Sequence, residues 1–153
     1  PAGASTPANG PASTPATKAV VTAAPPSPIA GKKDPCSYVT VAEVQATTGK
    51  TISGAPHQAN DFLCEYPTSD SGTVNIQVSY PFKQADWEAA AKRNAGGAPV
   101  AIAGVGDEAY AISFGVTALK GVNSVSVEVF PTAGAAPGNA QAIALATLVI
   151  SKL

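Results

Sequence analysis

Thr73-Val74-Asn75-Ile76-Gln77-Val78-Ser79-Tyr80 alternates without a slip: Val74, Ile76, Val78 and Tyr80 fall on one side, Asn75, Gln77 and Ser79 on the other. Successive side chains of a strand point to opposite faces, so this stretch reads as a half-buried antiparallel strand. The same period recurs downstream. In residues 108–116, Tyr110, Ile112, Phe114 and Val116 alternate with small residues, and in 122–130 Val125, Val127 and Val129 point inward. Residues 117–121, with Gly121, read as the hairpin between those two strands. Phe62-Leu63-Cys64-Glu65-Tyr66 and the stretch 100–102 read as shorter strands, and Pro56 and His57 fall in a loop.

Helical signals flank these strands. Thr40-Val41-Ala42-Glu43 is a capping box, and Gly49 suits the left-handed residue that closes the helix it starts. After Pro81 a helix is predicted over 82–94, with Ala85, Trp87, Ala90 and Ala91 as its apolar members and Gly96-Gly97 as its stop. Residues 131–137 read as a loop and 138–153 as a closing helix. Ile143, Leu145, Leu148, Val149, Ile150 and Leu153 give that helix a wide apolar surface with Lys152 its only charge. It either sinks into a groove of the fold or meets a partner or a second copy. The predicted class is α+β, an antiparallel sheet with helices packed on one face, in one domain over 34–153.

Residues 1–33 have another character. They hold no acidic or aromatic residue, carry only Lys18, Lys32 and Lys33, and are dominated by Pro, Ala, Ser, Thr and Gly. Such a composition cannot offset the entropy of ordering, so the segment reads as a disordered, semi-extended low-complexity linker. Residues 34–153 carry six basic and ten acidic groups. The whole chain of 153 residues has net charge −1, 12% charged residues and no basic patch, which argues against nucleic acid. No apolar run reaches the roughly 18 residues of a membrane span. Its start without Met suggests a processed form, with any signal peptide or lipid-bearing cysteine lying upstream.

Candidate chemistry is sparse. Cys36 and Cys64, 28 positions apart without a C-x-x-C motif, read as a structural disulfide from an oxidising compartment. One histidine and two cysteines cannot supply a zinc cage and a catalytic centre together, so no metal and no cofactor are expected. Gly104-Val105-Gly106-Asp107-Glu108-Ala109 imitates a dinucleotide fingerprint, with Glu128 near the position of a ribose-binding acid. The residues that follow alternate as a strand, where pyrophosphate binding needs a helix N-terminus, so the glycines read as a turn with Asp107 accepting backbone amides. His57 has Asp61 four residues away, but Ser53 and Ser69 lack an activating context. Asp107 and Glu108 point to opposite faces of a strand, and Asp86 and Glu88 do not meet on a helix. Asp70-Ser71-Gly72 is too thin for a calcium loop. No catalytic residue is expected.

Most of the aromatic inventory, Tyr66, Tyr80, Trp87, Tyr110 and Phe114, reads as core. A small apolar ligand, if bound, is expected between sheet and helices, beside Trp87 and the closing helix. The candidate ligand or partner surface is therefore Trp87, Tyr110, Phe114, Ile143, Val149 and Ile150.

Asp34-Pro35-Cys36, Thr40-x-Ala42-Glu43-Val44 with Gly49, Cys64-x-Tyr66, Gly104-x-Gly106-Asp107-Glu108-Ala109 and the Ala/Leu-rich final helix together resemble the small secreted lipoproteins of actinobacteria built on a domain of unknown function. More loosely, the chain is similar to extracytoplasmic sensor domains and to PsbP-like α/β sandwiches. The resemblance implies an exported protein held by a low-complexity linker, with its two cysteines bonded and an accessory or ligand-binding role. It brings no catalytic residues. The expectation is a secreted or lipid-anchored, non-enzymatic cell-surface domain that binds another extracytoplasmic protein or a small apolar ligand and touches membrane only through an upstream anchor. The alternative is a structural subunit of a larger assembly, self-association included, that contacts its neighbours through the linker or the closing helix.

Overall fold

The computed structural model describes residues 33–79, 83–95, 98–130 and 139–153. Residues 1–32 of the linker expected over 1–33, residues 80–82 at the predicted strand end and helix start, the helix stop 96–97, the loop 131–137 and the first residue of the predicted closing helix, 138, lie outside the described residues.

A 3-10 turn (Pro35–Ser37) opens the domain, with the Asp34 carboxylate accepting from the Cys36 N–H at 2.8 Å. Helix α1 (Val41–Thr48) follows, with the expected capping box. The Thr40 hydroxyl accepts from the Glu43 N–H at 3.2 Å, and the Glu43 carboxylate accepts from the Thr40 N–H at 2.8 Å. Gly49 closes the helix at φ 68°.

A six-stranded antiparallel sheet is built from β1 (His57–Asn60), β2 (Leu63–Pro67), β3 (Thr73–Ser79), β4 (Glu108–Ile112), β5 (Gly115–Lys120) and β6 (Asn123–Val129), in the order β1-β2-β3-β6-β5-β4. Helix α2 (Gln84–Asn94) joins the two three-stranded meanders, and α3 (Asn139–Ile150) ends the fold. Strands β3 and β6 lie where the alternation puts them, and β2 falls on the short strand expected over 62–66, one residue later.

Three local expectations are corrected. His57–Asn60 is an edge strand rather than a loop, paired to β2 through a register shift between Gln58 and Asn60. The stretch 108–116 is not one strand. It folds back at Ser113-Phe114, with Ile112 opposite Gly115, so the expected hairpin segment 117–121 is mostly strand and the chain turns at Gly121-Val122 instead. Gly115 is required there because a Cβ would stand 1.8 Å from the Val127 carbonyl oxygen. The stretch 100–102 contributes only an isolated bridge, Ala101 to Tyr110.

Val74, Ile76, Val78, Val116, Ala118, Val125, Val127 and Val129 form the apolar face of the sheet, packed with Val44 of α1 and Ala142, Leu145, Ala146 and Val149 of α3. The disulfide Cys36–Cys64, with Cα atoms 5.0 Å apart, ties the opening turn to β2 on that same face. Three helices thus pack against the sheet, and the expected helical face is made by α1 and α3. Helix α2 crosses the other face. Trp87 donates to the Thr117 hydroxyl at 3.0 Å, and Thr117 points away from the Val116 and Ala118 side. It runs along β4, with Gln84 Nε2 3.1 Å from Glu108 and the Asn94 carbonyl accepting from Ser113 Oγ at 3.1 Å.

Lys152, just past α3, reaches back to Glu43 at 2.6 Å. That ammonium, with the Thr40 N–H and hydroxyl, holds the Glu43 carboxyl down to about 2 from 4.5. Because the folded value is depressed, its contribution is complete above 4.5 and disappears as pH falls toward about 2. Acid titrations followed by circular dichroism should show the unaltered chain losing stability relative to Glu43→Gln across that window, the two curves meeting at its lower end.

Candidate functional site

The glycine-rich motif is a turn into a strand. Gly104 and Gly106 take φ 80° and 64°, and the Asp107 carboxylate accepts from the Gly121 N–H at 2.7 Å and from Lys120 at 3.1 Å. These donors, the Gly121 amide foremost, lower the Asp107 carboxyl below its ordinary value. Glu108 starts β4, so a strand stands where a pyrophosphate would need a helix N-terminus. A half-open cleft of about 270 Å³ lies beside this turn, lined by Asp107, Lys120, Gly121, Val122, Asn123 and Leu153, and its ion pair is internally satisfied.

His57 stands on an edge strand whose four residues are all exposed. Its Nε2 lies 2.9 Å from the carboxylate of Glu65, its cross-strand partner, and its side chain is 61% exposed. Ser53 is engaged with the Pro67 carbonyl at 3.3 Å. Glu108 accepts from the Tyr110 hydroxyl at 2.5 Å, which raises the phenol. Asp70 is taken up by Lys50 and the Thr68 hydroxyl, both at 2.5 Å. Among the described residues no three His, Cys, Asp or Glu side chains are grouped to hold a metal ion, and no helix is long and apolar enough to cross a membrane.

The six residues named as a candidate surface separate. Trp87 is 2% exposed and stacks on Tyr110 with ring centroids 5.5 Å apart, on the α2 face. Val149 is fully buried in the core, and Ile143 and Ile150 are half-buried against it on the α3 face. Phe114, 40% exposed, sits in the β4–β5 turn with its ring 5.1 Å from Phe130. Trp87 and α3 are on opposite sides of the sheet, so no single cavity borders both. Tyr66 is core as expected: its hydroxyl donates to the Val39 carbonyl at 2.9 Å, and burial pushes it up to about 12. Tyr80 lies outside the described residues.

A different surface emerges from the register. Among the described residues helix α2 packs chiefly on β4 and β5, so it covers little of the same face over β1, β2, β3 and β6. One row across the strands reads His57, Glu65, Asn75, Glu128, Gly115, and the next reads Leu63, Gln77, Ser126, Thr117, Tyr110. Gln77 is exposed, and Leu63, Glu65, Asn75, Ser126 and Glu128 are half-buried. Burial raises the Glu128 carboxyl, with the Asn75 amide opposing the shift. Asn75 and Gln77 were legible as the wet side of their strand. Their assembly with Glu128 and Glu65 depends on register between strands distant in sequence.

No family model, curated protein or solved structure matches the chain. The resemblance to secreted lipoproteins therefore rests on the motifs that suggested it. The disulfide is consistent with an extracytoplasmic location.

Proposed function

We propose that this is a secreted or lipid-anchored, non-enzymatic binding domain that receives a partner protein on the sheet face over β1, β2, β3 and β6. The observation that carries the reading is the unequal cover of the sheet. Among the described residues, α1 and α3 close one face, and α2 packs chiefly on β4 and β5 on the other. What remains mixes half-buried polar groups with the partly exposed Phe114–Phe130 pair, and aromatic side chains are enriched on protein-binding surfaces. The exposed His57 and the engaged Ser53 support a non-enzymatic role. The split between Trp87 and α3 favours a protein partner over a small apolar ligand held between them. The low-complexity segment 1–33 supplies reach from a surface.

Photo-cross-linking in producing cells tests this. A benzophenone side chain replacing Gln77 in the full chain should give one discrete adduct with another extracytoplasmic protein. The same group replacing Ala144, exposed on α3, should give none. An adduct from position 144 alone would replace this reading with that of a structural subunit joined through its last helix.

A further inference from the structure

We propose that Glu128, with the Phe114–Phe130 pair, forms a notch that recognises a guanidinium group, so that the partner on this face presents an arginine side chain. The inference rests on the binding reading above and names the chemistry of the partner. Glu128 sits on β6 in the middle of the sheet, half-buried, with no ion pair to it among the described residues. Glu65, the other carboxylate of its row, has His57 as its partner, and elsewhere in the domain Asp70 has Lys50, Asp107 has Lys120 and Glu43 has Lys152. On the β5 side its register partner is Gly115, which offers no side chain. On the β3 side is Asn75.

Phe130 follows Glu128 by two residues and so stands on the same face, its N–H still bonded into the ladder through the Thr73 carbonyl at 2.9 Å. Phe114 adjoins Gly115 and tilts against Phe130, with an interplanar angle of 36°. A half-buried carboxylate beside partly exposed aromatic rings complements a cation that is planar and weakly hydrated. Guanidinium can place two N–H groups on the carboxylate while its flat face rests on a ring, whereas a compact ammonium must shed tightly held water to do either.

Nitrogen-15 correlation spectra of the full chain titrated with the capped tripeptide acetyl-Gly-Arg-Gly-amide test the proposal, with citrulline in place of arginine as the neutral control. The arginine peptide should shift the amides of Asn75, Gly115, Glu128 and Val129, with half-saturation in the millimolar range. The citrulline peptide should bind at least about threefold more weakly, since only hydrogen bonding remains. Glu128→Gln, which removes a half-buried charge and should keep its native spectrum, should abolish the preference for arginine. Phe114→Ala should weaken the arginine peptide by about two- to fivefold.

Equal shifts with both peptides, or an unchanged arginine preference in Glu128→Gln, would overturn the arginine assignment. The two readings fail separately. A discrete Gln77 adduct together with equal shifts from the two peptides keeps the face and removes the guanidinium notch. Absence of any Gln77 adduct in the unaltered chain removes both.

Discussion

Trp87→Ala should lower the unfolding free energy by about 3–5 kcal/mol, the range for emptying a large buried aromatic site. Trp87 is the largest of the fully buried side chains and the chain's single tryptophan. Around it α2 has little else to anchor it. Ala91 is the other fully buried residue of that helix, while Ala85 is exposed and Ala90 half-buried. The indole N–H donates to Thr117, which also accepts from Ser126 at 2.9 Å, so the truncation opens a void and strips a donor from the buried Thr117 hydroxyl. Trp87→Phe separates the two effects, retaining most of the ring volume and costing about 1–2 kcal/mol. Urea unfolding followed by circular dichroism is the measurement. If Trp87→Ala were nearly neutral, the residue would be dispensable to the fold and its place as a ligand-facing side chain would reopen.

Opening the Cys36–Cys64 bridge should cost nearly as much. A cross-link closing a separation of 28 residues removes loop entropy from the unfolded chain worth about 3–4 kcal/mol. Cys36→Ser with Cys64→Ser should therefore lower Tm by roughly 10–15 °C for a domain of this size. The bridge is also packed. Cys64 is completely buried and Cys36 lies against the same core. The turn it secures supplies Asp34, Pro35 and Tyr38, and just beyond it Val39 gives its carbonyl to the buried Tyr66 hydroxyl. Calorimetry of the double variant beside the oxidised chain decides the matter. A Tm difference below about 3 °C would mean that packing alone holds the opening turn to β2.

The features legible in the residues alone are those with short physical causes. The capping box needs only Thr40 and Glu43 on one helical turn, and Gly49 needs only its own freedom at positive φ. The alternation of β3 and β6 is printed in the residues themselves, and two cysteines allow a single pairing. The segments that depart from expectation lack such causes. His57, Gln58, Ala59 and Asn60 are weak strand formers, and only the waiting edge of β2 makes them a strand. The turn at Ser113-Phe114 carries none of the Asn-Gly or Asp-Gly pairs that announce a two-residue hairpin, so the alternation of side chains runs through it unbroken.

The amino-acid sequence by itself determined the α+β class, the capped first helix, the valine-lined sheet face and the disulfide. Each of these follows from interactions between near neighbours or from a pairing with no competitor. Which face α2 would cover was decided only in three dimensions. A helix with one large apolar anchor packs wherever that anchor finds a site, and Trp87 found Thr117 and Tyr110 on the face opposite α3. The same is true of the candidate surface. Glu65, Asn75 and Glu128 are 10 and 53 positions apart along the chain, and only the antiparallel register of β2, β3 and β6 sets them side by side.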